Sequence, residues 1–138
     1  MDITSIPFVA LIGIKKKDQH SLSLEYAGKM KNHIGTLHAG ALFTLAETQS
    51  ALALMQRFDT LDVSNVLPLL RSSKIIYRQP AESDVSTVCM IDEDQAVRFE
   101  ERYQKRGNGM IEVNVDVIDR IGSVCAKAEF VWFVSKSR

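Results

Sequence analysis

His38-Ala39-Gly40-Ala41-Leu42-Phe43-Thr44-Leu45-Ala46-Glu47-Thr48-Gln49-Ser50-Ala51-Leu52-Ala53-Leu54-Met55-Gln56-Arg57 is the stretch whose reading decides the fold. Projected at 100° per residue, its apolar side chains cover almost the whole circumference. Leu42, Ala46 and Ala53 lie on one side, Leu45 and Leu52 beside them, and Phe43 and Leu54 on a second flank. A helix that is apolar nearly all round belongs inside a core. Between His38 and Arg57 the one ionisable residue is Glu47. A carboxylate sunk in such a helix is costly unless paired or protonated. It is therefore either satisfied by a hydrogen bond or an arginine, or kept there for chemistry.

The whole chain bounds the answer. Its 138 residues suit one domain with a single hydrophobic core, expected to span 1–138. Apolar residues at 46% and charged residues at 25% exclude a disordered chain. The 17 basic and 17 acidic residues cancel, so no basic excess supports binding to nucleic acid or an anionic membrane. Any anion site must be local. The stretch 39–56 approaches membrane-spanning length, but Thr44, Glu47, Thr48, Gln49 and Ser50 cluster in its middle, where insertion is most expensive. Met1-Asp2-Ile3-Thr4-Ser5-Ile6-Pro7 offers an acid and a proline where a signal peptide needs positive charge and a long apolar run. A cytoplasmic protein is expected. Cys89 and Cys125 lack metal-ligand spacing and read as small buried hydrophobes.

Outward from the helix the pattern is mostly that of strands. Upstream, Phe8, Ala10, Ile12 and Ile14 alternate and predict a strand over Phe8 to Lys16; Leu22, Leu24 and Tyr26 predict a second. Lys29 to Leu37 is a polar connection, and the helix is expected from His38 to Arg57. Downstream, Asp59 to Asn65 reads as loop, Leu67 to Arg78 as a long strand stopped by Pro80, and Asp84 to Asp92 as another strand. Ala96, Phe99 and Tyr103 stand at helical spacing within Glu93 to Arg106, with Gly107-Asn108-Gly109 as the stop. Ile111, Val113, Val115 and Val117 give the cleanest alternation. After a turn at Asp119-Arg120-Ile121-Gly122 the chain returns over Ser123 to Val134, which predicts a hairpin. The βαβ alternation of a parallel sheet is missing. The arrangement that hides the apolar helix is an α+β hotdog fold, a curved antiparallel sheet of about six strands wrapped around one long central helix.

Asn32-His33-Ile34-Gly35-Thr36-Leu37-His38-Ala39-Gly40-Ala41-Leu42-Phe43-Thr44-Leu45-Ala46-Glu47 resembles the signature of hotdog-fold acyl-CoA thioesterases. The nearest branch is the phenylacetate-pathway (PaaI-like) one, in which Asn, a His-Gly-Gly and an acidic helix residue recur in this order. The resemblance implies hydrolysis of an acyl-CoA thioester to the free acid and CoA. It implies no cofactor beyond the coenzyme A of the substrate. Glu47 matches the acid that activates water or forms an acyl-enzyme. Asn32 matches the residue that orients the water or the substrate carbonyl. His38 opens the helix. Where the family has glycine, position 39 is alanine; only its N–H is needed.

Physical chemistry gives these positions a role of their own. Thioester hydrolysis builds negative charge on the carbonyl oxygen, and preorganised donors there lower the barrier. The amides of Ala39 and Gly40 lie where the helix begins, at the positive end of its dipole. Ionisation of Glu47 must survive burial for it to act as base or nucleophile. Ala39 and Glu47 are eight residues apart, about 12 Å along a helix. Both must come within about 3 Å of one carbonyl, so one subunit cannot readily supply both. A homodimer with two composite sites is expected, alone or as a dimer of dimers.

Several family features are unmatched. The hydroxyl found one turn after the acid is here Ala51, which leaves Thr48 and Ser50 as the helix hydroxyls for substrate binding. Arg71, Lys74 and Arg78 on the following strand, with Lys29 and Lys31 upstream of the motif, are candidates for the coenzyme A phosphates. His20, His33 and His38 have no helical i, i+4 pairing, so no metal is expected. Two rival readings remain: a dehydratase or hydratase using His38 with a carboxylate, and a non-catalytic acyl-CoA or fatty-acid binding module.

Overall fold

The structure is a computed structural model that describes residues 2–59 and 65–136. The predicted loop 59–65 therefore lies largely outside the described residues. A 3-10 turn (Ile3–Ser5) and a short helix α1 (Pro7–Ile12) lead into strands β1 (Lys15–Lys16) and β2 (Leu22–Leu24). A second 3-10 turn (Gly28–Met30) precedes the long helix α2 (Ala39–Asp59). Strands β3 (Val66–Tyr77) and β4 (Val85–Met90), helix α3 (Glu93–Arg106), and strands β5 (Asn108–Ile118) and β6 (Val124–Lys136) follow.

The strands form one antiparallel sheet in the order β1-β2-β4-β5-β6-β3, and α2 packs against the face formed by β2 to β6. This is the hotdog architecture. Leu45, Ala46 and Leu54 of α2 are fully buried against the inward residues Val113, Val117 and Phe130. The hairpin of β5 and β6 is continuous apart from one irregularity at Val117/Ile118. The polar middle of α2 is also accounted for. Thr87 Oγ1 donates to Gln49 Oε1 at 2.6 Å, and Gln49 Nε2 donates to the His20 carbonyl at 3.0 Å. These bonds tie the helix to β4 and to the chain just before β2 instead of leaving unmet amide groups inside the core.

One prediction is overturned. Phe8 to Ile12 is not strand but helix α1; only Lys15–Lys16 pairs, with Ser23 and Leu22. Pro7 stands at the first helical position, where its fixed φ favours a helix. Gly13, at φ 86°, closes the helix in the left-handed conformation with its N–H on the Ala10 and Val9 carbonyls. These two punctuation residues outweigh four alternating apolar positions.

Helix α3 has a specific reason to sit where it does. Strand β4 ends at Met90, opposite Asn114, so Glu112 on β5 has no strand neighbour on that side. The Gln95 side chain supplies one: its Oε1 accepts from Glu112 N at 2.7 Å and its Nε2 donates to Glu112 O at 3.0 Å. Arg57, in the last turn of α2, adds charge-assisted bonds to Glu93 and Glu100.

At the opposite edge, β3 is twelve residues long and among the described residues pairs only with β6, with a bulge at Leu70/Ser72. Leu67, Leu69, Ile76 and Tyr77 on it are exposed. Cys89 and Cys125 are free thiols, and burial pushes Cys89 up to about 11, so it is protonated and inert at neutral pH.

Candidate active site

The helix start is built by a tight loop. The Asn32 carboxamide Oδ1 accepts from Ile34 N and Thr36 N, both at 3.0 Å, and its Nδ2 donates to Thr36 Oγ1 at 2.8 Å. The side chain predicted to orient water thus spends both ends on closing its own loop. Tyr26 O–H donates to the Gly35 carbonyl from outside, and His38 N and Leu37 N anchor the strand into α2 through Met30 O and Ala81 O.

His38 is the N-cap of α2. Its carbonyl accepts from Ala41 N at 2.9 Å and Leu42 N at 3.1 Å. Its Nδ1 accepts from Gly40 N at 2.8 Å, so its ring proton is on Nε2. That bond corrects one expectation: the Gly40 amide is occupied and does not serve as a second oxyanion donor. It also explains the glycine, since a Cβ there would lie 3.1 Å from His38 Nδ1. The Ala39 N–H, by contrast, has no acceptor among the described residues. It is the open donor at the positive end of the helix. Ala39, Asn32, Tyr77 and Arg78 line one cavity of about 310 Å³.

Glu47 lies elsewhere. It lines a separate cavity of about 490 Å³ together with Ile6, Val9, Ala51, Met55 and Trp132. Its carboxylate accepts no hydrogen bond and meets no cation among the described residues, and burial holds its pKa above the usual carboxylate range. Within one chain the acid and the open amide therefore face different cavities, as their separation along the helix requires.

The remaining candidates divide. Thr48 lines the Glu47 cavity, with its hydroxyl donating to Thr44 O at 2.6 Å. Ser50 does not: it is fully buried, donates to Glu47 O at 2.7 Å and accepts from Trp132 Nε1 at 3.0 Å. Its role is to hold the helix to β6, which corrects the expectation that it touches substrate. Arg78 borders the Ala39 cavity, but Arg71 and Lys74 do not join it. Arg71 lies at the β3 bulge, 5.9 Å from the Phe133 ring, and Lys74 faces the outer side of the sheet beside Met90 and Asp116. The bulge sets Arg71 apart, and Arg78 lies just past the end of β3, so three cations that look contiguous in sequence do not share a cavity. Among the described residues no cluster of side chains could hold a metal ion, and no helix is long and apolar enough to cross a membrane.

Three residues lining these cavities escaped the sequence reading. Tyr77 O–H donates to the Ala39 carbonyl at 3.1 Å and so pins the first turn of α2 to the end of β3. A tyrosine closing a long strand needs a partner for its hydroxyl, and that was the available signal. Val9, from the segment read as strand, and Ile6 just before it wall the Glu47 cavity.

Comparison with known proteins agrees with this fold. A probable thioesterase of unknown function from Pseudomonas aeruginosa, PA5026, superposes with a TM-score of 0.83 at 25% identity, over 97% of this chain and 91% of that one. A putative thioesterase from Shewanella oneidensis gives 0.78 at 17% identity, covering 98% and 91%. BH2602 from Bacillus halodurans, solved with CoA, gives 0.70 at 18% identity, covering 92% and 74%. No curated protein matches in sequence. Residues 6–134 match the sequence profile of the family described as "Domain of unknown function (DUF4442)". A hotdog-fold chain matched over nearly all its length in this way belongs to the DUF4442 family.

Proposed function

We propose that this protein hydrolyses acyl-CoA thioesters at a site completed by two subunits. The observation that carries the reading is the pair of half-sites: an unpartnered carboxylate on Glu47 in one cavity and an unpartnered N–H on Ala39 in another. The two groups complement each other only across a bound thioester: the amide takes its carbonyl oxygen and the carboxylate its attacking water. A two-fold partner brings Ala39 of one subunit to Glu47 of the other, and the open, apolar edge of β3 is the surface that joins them.

In this site the thioester carbonyl oxygen accepts from the Ala39 N–H. Glu47, ionised, takes a proton from a water that attacks the carbonyl carbon, and the oxyanion formed is held by that amide and the helix dipole. Collapse breaks the C–S bond, and the thiolate takes the proton to leave as CoA. Attack by Glu47 itself, followed by hydrolysis of the acyl-enzyme, uses the same two groups. Coenzyme A enters as part of the substrate and no cofactor is needed. Arg78, beside Ala39, is placed to meet a phosphate or the pantetheine arm. The order Asn32, His38, Glu47 supports a phenylacetate-pathway-type relationship, and the CoA held by the Bacillus halodurans relative supports the choice of carrier.

The hydratase reading has less support, because no carboxylate lies within bonding reach of His38 in one chain among the described residues. Free-thiol release from a panel of acyl-CoA esters tests the proposal. Turnover by the unmodified protein that disappears in Glu47→Gln is expected. Tight acyl-CoA binding without thiol release would leave a binding module instead.

A further inference from the structure

The cavity that holds Glu47 has a direction. Thr44, Thr48, Ala51 and Met55 line it at spacings of four, three and four, one stripe along a single face of α2. Ile6 and Val9 of the N-terminal segment and Trp132 of β6 form the facing walls. Thr44 and Thr48 spend their hydroxyl protons on Gly40 O at 2.8 Å and Thr44 O at 2.6 Å. No cation lines the cavity among the described residues. Among the described residues its polar side chains, Thr44, Glu47 and Thr48, gather towards one end, and the lining beyond them along α2 is apolar.

From Glu47 to Met55 the stripe runs eight residues, about 12 Å along the axis. An extended hydrocarbon advances about 1.25 Å per carbon, given a C–C bond of about 1.5 Å at a tetrahedral angle. We infer that this cavity measures a straight-chain, unsubstituted aliphatic acyl group of about nine or ten carbons beyond the carbonyl. The inference takes Glu47 as the reacting end and so rests on the proposed thioesterase site. The family's missing hydroxyl then has a reason: Ala51 is the floor of an apolar channel, where a polar group would go unmatched.

Binding of free fatty acids from propanoate to hexadecanoate, read by calorimetry, tests the channel without needing turnover. Affinity should rise about fourfold per methylene, the equivalent of about 0.8 kcal/mol, until the chain reaches about ten carbons, and then stop rising. Ala51 lies four residues, about 6 Å, beyond Glu47, so Ala51→Phe should move the break to about five carbons. Ala51→Leu is the milder version should the larger side chain impair folding, and Met55→Ala should move the break upward. Affinity that ignores chain length, or a break that none of these substitutions moves, would overturn the inference. The same chain lengths presented as CoA esters separate it from the reading beneath. A length break in binding without thiol release keeps the channel and removes the hydrolase. Thiol release with equal preference for acetyl, decanoyl and phenylacetyl esters removes the channel and keeps the hydrolase.

Discussion

Glu47→Gln should make the protein more stable at neutral pH while removing its activity. The Glu47 carboxylate is half-buried in an apolar cavity and has neither hydrogen bond nor cation among the described residues, and burial alone raises its pKa. A raised folded-state pKa means that the native protein binds this proton more readily than the unfolded chain does. The associated stability is complete below the ordinary carboxylate range and is lost as pH rises through the folded pKa. A neutral amide of the same shape escapes that loss. Burying an unpaired polar or charged group costs about 1–3 kcal/mol, and with the carboxylate partly open to its cavity a gain on the order of 1 kcal/mol is expected. For a chain of this size that is about 4 °C in Tm. Denaturant unfolding of both proteins from about pH 3 to pH 8 measures it: the curves should coincide at the acid end and separate above it. A Gln variant less stable than the parent at pH 7, or a difference independent of pH, would refute the reasoning. Glu47 would then be satisfied by a partner that the geometry of one chain does not contain.

The other outcomes follow from the same geometry. Ala39→Pro deletes the open N–H at a position where proline suits a helix, so folding should persist while kcat falls by about 10²–10³, measured as thiol release. Ser50→Ala strands the buried Trp132 indole N–H; it should cost about 1–3 kcal/mol in unfolding experiments and leave KM unchanged. Because Glu47 must be ionised to act, the acid limb of kcat/KM should fall at a pH above the ordinary carboxylate range, seen in a pH–rate profile.

How much of this was legible beforehand varied with the physics of each segment. Helix α3 could be read to the residue and the β5–β6 hairpin recognised, because each buries one face and the pattern has a single period, although β5 begins at Asn108, inside the triplet read as the helix stop. The apolar circumference around Glu47 correctly required a helix enclosed by sheet. At Phe8 to Ile14 the apolar pattern and the local punctuation disagree, and Pro7 with Gly13 prevailed. The site was harder, because its content depends on which polar atoms are already spoken for. Nothing in the sequence says that His38 Nδ1 takes the Gly40 amide, that Ser50 is claimed by Trp132, or that Asn32 folds back on Thr36. Nor could the sequence separate Arg71, Lys74 and Arg78, whose divergence follows from the bulge beside Ser72 and from the end of β3 at Tyr77.

A complementation experiment tests the shared site most directly. Chains carrying Glu47→Gln and chains carrying Ala39→Pro, each inactive alone, are mixed in equal amounts and allowed to exchange subunits. Half of the dimers are then mixed, and each mixed dimer holds one site with an intact amide from one chain and an intact acid from the other. About one quarter of the parent's thiol-releasing activity should return. If exchange is verified and no activity returns, acid and amide act within the same chain, and the two-subunit site is wrong.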